Sequence, residues 1–187
     1  MKRFLLCVLI AVCMPFAVNA QSSSNPVSDT VRRIVVQRAK ILTAAAEEMP
    51  ADKYNFQPTP KQMTFAHLIM HLQGSNFGLC SAISGTKPTD RPTVSDTDGK
   101  DKLVAALKSS FDFCNDALAK IDDSKLGESV PFFRGSQPRA AVMIALTDDL
   151  FDHYSQAAMY LRLNGLLPPT AQRQPMNMKK NMKKNMK

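Results

Sequence analysis

Apolar residues recur with a period near 3.6 in four stretches of this chain, and each stretch predicts a helix. In the first, over about 26–48, the spaced positions are Val31, Ile34, Val35, Ile41, Leu42 and Ala45. Asn25 stands where an N-cap would, with Pro26 at the first helical position, where a missing N–H loses no bond. Pro50, Pro58 and Pro60 then forbid a continuous helix and mark a connector. The second stretch runs from Thr64 as N-cap to about residue 84, with Gly85 as its stop and Phe65, Leu68, Ile69, Leu72, Leu79, Cys80 and Ile83 as its stripe. A polar segment over 86–99, with two prolines, predicts a long linker.

The third stretch, about 100–121, has the cleanest stripe: Leu103, Leu107, Phe111, Cys114, Leu118 and Ile121. A turn region with Pro131, Gly135 and Pro138 leads to the fourth, about 139–164, which Gly165 caps and Pro168-Pro169 follows as the end of the fold. Little of the chain alternates with period two. The economical architecture is therefore all-α, a four-helix bundle around one core.

The two ends depart from this pattern. Met1-Lys2-Arg3, an apolar run from Phe4 to Val18, and Val18-Asn19-Ala20 have the layout of a cleaved secretory signal cut after Ala20. The apolar run is shorter than the ~20 residues a spanning helix needs, and Pro15 interrupts it. Cys13 in that run would suit a lipid anchor, but Val12 before it is larger than a lipobox prefers. The expected mature chain is a periplasmic or secreted protein without a transmembrane segment. At the other end Asn-Met-Lys-Lys repeats through Lys187, a composition that predicts a solvated, disordered tail. The expected divisions are a signal at 1–20, a helical domain at 21–170 and a tail at 171–187.

Locating the charge changes its meaning. The chain carries a formal +8, but Lys2, Arg3, Arg173 and the tail lysines account for the excess. The 16 Asp and Glu residues of the chain all fall between Gln21 and Thr170, matched there by as many Lys and Arg. A neutral domain with no Trp and three Tyr gives nucleic acid no evident footing, so no nucleic-acid partner is expected. With 44% hydrophobic and 21% charged residues, the composition is that of a globular core.

Two polar residues stand in the wrong place. A rotation of about 100° per residue along the fourth helix puts Asp149 and His153 in the middle of the apolar face made by Val142, Leu146, Leu150, Ala157 and Tyr160. Asp148 and Asp152 fall well outside that face. A carboxylate aimed into a core is costly unless paired or bound to metal, and residues four apart on a helix converge on one point. On the second helix His71 flanks the apolar stripe, while His67 lies further round and is expected to be exposed. His71, Asp149 and His153 would give two imidazoles and one carboxylate with open coordination positions, suited to Zn²⁺, Fe²⁺, Mn²⁺ or Ni²⁺. The alternative is a bare Asp149–His153 pair at a helix seam, and the residues alone leave both open. No Ser-His-Asp or Cys-His signature and no Gly-rich phosphate loop occurs.

Cys80 and Cys114 remain once the signal departs. They occupy the apolar stripes of two helices that can lie side by side, antiparallel. An oxidising compartment would join them in a disulfide; the alternative is two buried thiols.

The segments Phe65-Ala66-His67-Leu68-Ile69-Met70-His71-Leu72-Gln73-Gly74-Ser75-Asn76, Asp152-His153-Tyr154-Ser155-Gln156 and Tyr160-Leu161-Arg162-Leu163-Asn164-Gly165-Leu166-Leu167-Pro168-Pro169 resemble the DinB-like (damage-inducible) superfamily. The resemblance covers nearly all of Val27 to Thr170. It implies a four-helix bundle with a three-histidine metal site between the second and fourth helices. Position by position, His71 matches the first ligand and His153 the third, while Asp149 stands where the family has its middle histidine. The superfamily includes thiol-dependent transferases and isomerases, which makes a metal-dependent hydrolase or transferase of unknown small-molecule substrate the leading expectation. The competing one is a non-catalytic binding or structural bundle whose site has lapsed. A homodimer through an exposed flank of the bundle is compatible with either.

Overall fold

A computed structural model describes residues 24–172. The expected signal and all but the first two residues of the expected tail lie outside the described residues. Four long helices follow one another: α1 (Pro26–Glu48), α2 (Phe65–Ser84), α3 (Lys100–Leu118) and α4 (Arg139–Leu163). A two-stranded hairpin, β1 (Ser129–Phe132) and β2 (Gly135–Pro138), precedes α4, and a single turn, α5 (Pro169–Gln172), follows it. The protein is all-α in class, with the hairpin as an addition that four-residue strands were too short to announce.

In the bundle α2 packs chiefly on α3 and α4, and α1 on the same two, so α1 and α2 sit across the diagonal. Paired positions give the directions. Cys80 faces Cys114 and Asn76 hydrogen-bonds Ser110 at 2.9 Å, so α2 and α3 run parallel rather than antiparallel. His71 faces His153, and the Tyr160 hydroxyl donates to the Met63 carbonyl at 2.6 Å, so α2 and α4 run antiparallel. Lys108 pairs with Glu47 while Arg32 donates to the carbonyls of Leu118 and Ile121, making α1 and α3 antiparallel.

Two successive parallel helices need a return connection, and the 86–99 linker supplies it by descending along α2. Arg91 lies over the Phe77 ring, Gln73 reaches the Pro92 carbonyl, and His67 meets Asp96 at 2.9 Å. Cys80 and Cys114 form a disulfide between α2 and α3, with Cα atoms 5.2 Å apart.

Caps explain both ends of α2. The Thr64 hydroxyl accepts the His67 N–H, and Gly85 ends α2 at φ 70°, a left-handed conformation that favours glycine. The start of α1 differs from expectation. Asn25 makes no side-chain cap on its own helix. The Asp123 carboxylate, from beyond α3, accepts the Val27 and Ser28 N–H groups instead, and the Asp123 N–H donates back to Asn25 Oδ1. The third helix stops at Leu118, three residues early, and Ile121 enters the core from the turn beyond it. Pro168-Pro169 opens α5 instead of ending the fold, and Thr170 there hydrogen-bonds the Tyr154 hydroxyl.

The apolar stripes line one continuous core. Among the described residues, no helix is long and apolar enough to cross a membrane.

Candidate metal centre

The seam between α2 and α4 holds the polar residues that the helical pattern places against the core. His153 is almost fully buried, Asp149 half-buried and His71 exposed. One donor atom from each lies within 4.8 Å of the other two. The His71 and His153 rings stack with centroids 5.0 Å apart. Asp148 and Asp152, one residue from these positions, face solvent as the wheel requires.

Hydrogen bonding prepares His153 to coordinate. Its Nδ1 lies 2.7 Å from the Asp149 backbone carbonyl, an acceptor only, so Nδ1 carries the proton and donates. Nε2 is then left with its lone pair, the arrangement in which a carbonyl fixes the tautomer of a metal-binding imidazole. The Asp149 carboxylate is less well provided for. Oδ1 is 3.4 Å from His153 Nδ1, a loose contact, and Oδ2 is buried without a hydrogen-bond partner. Burial pushes the Asp149 carboxyl above the usual carboxylate range, against the pull of His153 and His71. Burial and the neighbouring His153 push His71 down, against the pull of Asp149, which favours the neutral imidazole that a metal requires.

This donor set fits a divalent transition metal. Two nitrogens and one carboxylate oxygen suit Zn, Ni, Mn or Fe, and a cation would satisfy the orphaned Oδ2. Ligands held at about 2.1 Å lie at most about 4.2 Å apart, so the three donors must draw together slightly around an ion.

His67 stays outside this group. Its Nδ1 pairs with Asp96 Oδ2 at 2.9 Å, at a partly exposed position on the linker side of α2. Four residues near the site were not singled out in the sequence. Ser75 Oγ lies 3.4 Å from His71 Nε2. Arg91 from the linker and Phe132 and Phe133 from the hairpin line clefts on either side of His71. For Ser75, the i,i+4 spacing from His71 was an available signal; for the others none was, because loop placement has no period.

The fold and the cluster together define a class: a four-helix bundle with a two-histidine, one-carboxylate group at the seam of α2 and α4. The model of the DinB superfamily matches residues 34–157, about two thirds of the chain, and the chain belongs to that family. The match ends before the Tyr160–Pro169 segment. Among solved structures, the chain is similar to a DinB-like protein from Bacillus subtilis at 15% identity and a TM-score of 0.61, covering 73% of this chain and 92% of that one. A DinB-like protein from Bacillus cereus shows 14% identity and a TM-score of 0.63, with 75% and 95% covered. A conserved protein from Enterococcus faecalis shows 14% and 0.58, with 71% and 94% covered. At such identities the likeness is one of fold. No curated protein matches at a significant level.

Proposed function

We propose that this chain is an exported DinB-superfamily protein that holds one divalent transition metal through His71, Asp149 and His153 and acts as a metal-dependent hydrolase or transferase on a small molecule. The observation that carries the reading is Asp149 Oδ2, a buried oxygen with no partner on a carboxylate that lies within 4.8 Å of a nitrogen from each of two imidazoles. A structural ion pair would be expected to satisfy both oxygens. Bound there, the metal would supply Lewis-acid activation of a water or a thiol at its open positions. The chain's own part is to fix the imidazole of His153 on the Asp149 carbonyl, to keep His71 neutral, and to wall the seam with apolar residues. The signal-like sequence at 1–20 and the Cys80–Cys114 disulfide support export, since disulfides persist in oxidising compartments.

Elemental analysis of the mature protein, purified without chelators, tests the metal. About one equivalent is expected in the wild type and none in an Asp149→Ala, His153→Ala double variant. No metal in the wild type, even after incubation with Zn²⁺, Mn²⁺ and Ni²⁺, would leave Asp149 and His153 as a buried pair in a non-catalytic bundle. A periplasmic or culture-supernatant location of the mature chain, starting at Gln21, is the matching expectation for export. Retention of residues 1–20 on a cytoplasmic protein would refute it.

A further inference from the structure

His71 stands between two clefts of different character. On the linker side, a space of about 570 Å³ is bounded by His71, Gly74, Ser75, Arg91 and Thr93. On the hairpin side, about 450 Å³ is bounded by His71, Ser75, Leu79, Phe132, Phe133 and Asp149. Because both include His71 and Ser75, they adjoin at the proposed metal ligand.

The linker side offers an unengaged cation. Among the described residues, neither an ion pair nor a hydrogen bond holds the Arg91 guanidinium, which rests 5.6 Å over the Phe77 ring. It also lies against α2 at Gly74, where a Cβ would stand 3.7 Å from an Arg91 nitrogen, an ordinary van der Waals contact. A guanidinium fixed on an aromatic face beside a cleft is prepared to receive a carboxylate or phosphate in a bidentate pair.

The hairpin side offers aromatic surface that folding does not explain. Phe133, in the two-residue loop between β1 and β2, is 92% exposed and adopts φ 50°. A bulky side chain is disfavoured in the left-handed region, and this one gains almost no burial in return. Its ring meets Phe132 edge-on at 4.5 Å, forming a wall over Asp149. The acids Asp148 and Asp152 line the adjoining recess with the same two rings, so a negative charge is repelled at that end.

We propose that the groove past His71 binds a small organic anion with an apolar body, its anionic group on Arg91 and its body against Phe132 and Phe133. This deepens the metal-site reading by naming its substrate class, but the two can fail separately.

Isothermal titration with hydrocinnamate and with its neutral amide, on the mature protein with and without bound zinc, tests the proposal. The carboxylate is expected to bind at least about tenfold tighter than the amide, the value of one charge-assisted contact. Arg91→Gln raises the carboxylate Kd by about the same factor and leaves metal content unchanged. Phe133→Gly, which relieves the backbone, weakens binding several-fold without lowering the thermal midpoint. Equal binding of acid and amide, no binding of either, or an unchanged Kd in Arg91→Gln overturns the proposal. Binding that needs zinc but not Arg91 would make the carboxylate a metal ligand, sinking the anion site while the metal reading stands. Arg91-dependent binding to a protein that holds no metal would do the reverse.

Discussion

Asp149 concentrates the tension between stability and function in one side chain. Its Oδ2 is buried without a partner, and burial above all raises its pKa, so in the absence of a cation the folded state loses hydration there without recovering it. Replacement by an apolar residue of similar volume removes that cost. Asp149→Leu is expected to raise the stability of the metal-free protein by roughly 1 kcal/mol, read by urea denaturation in the presence of a chelator. The same variant should lose the rise in thermal midpoint that added Zn²⁺ gives the wild type, because binding stabilises only a fold that keeps the site. A destabilised Asp149→Leu in chelator would mean that the carboxylate already has a satisfying partner.

At the scale of elements, the start of α1 is held from a distance. Two turns of chain beyond α3 bring Asp123 to the Val27 and Ser28 N–H groups, while Asn25 anchors Asp123 in return. A carboxylate at a helix N-terminus gains from hydrogen bonding and from the helix dipole together. Desolvation pushes the Asp123 carboxyl up, but hydrogen bonds from Ser28 and Val27 and the nearby Arg32 outweigh it and hold the carboxyl below its ordinary value. A depressed pKa in the folded state means stability that is present above the unfolded pKa of about 3.9 and lost as pH falls through the lower folded value. The thermal midpoints of wild type and Asp123→Ala should therefore differ by several degrees at pH near 6 and converge as the pH approaches 2. A difference that persists unchanged in acid would show that the carboxylate charge is not what caps α1.

Across the whole molecule, the disulfide closes a loop of 34 residues that includes the last turn of α2, the descending linker and most of α3. Chain entropy alone assigns such a cross-link about 3–4 kcal/mol, acting on the unfolded state. Reduction, or Cys80→Ala with Cys114→Ala, is expected to lower unfolding stability by roughly 2–4 kcal/mol. Because the proposed metal ligands lie on the α2–α4 seam rather than the α2–α3 seam, the reduced protein should still take up metal. Metal loss on reduction, with the fold intact by circular dichroism, would show that the disulfide positions the site.

How much of this was legible beforehand follows from the range of each interaction. Helix periodicity is local: a residue's face depends on its neighbours three and four positions away, so the four helices, the stripes around Leu72, Leu107 and Leu146, and the misplaced polar pair of Asp149 and His153 could all be read from the sequence. Helix ends were read where the cap is local, as at Thr64 and Gly85, and missed at Asn25, where Asp123 arrives from 98 residues away. The parallel course of α2 and α3 could not be read either, because it depends on where the linker lies, and a polar segment carries no period. Sequence by itself determined the apolar faces of the four helices and that Asp149 and His153 stand on one of them, though not that Asn76, Ser110 and Arg139 are buried too. Only the tertiary structure decided that His71 meets Asp149 and His153, that Arg91 and Phe133 flank them, and that His67 pairs with Asp96. The physical reason is that contacts between elements are set by packing and by the paths of connectors, which no pattern within one helix encodes.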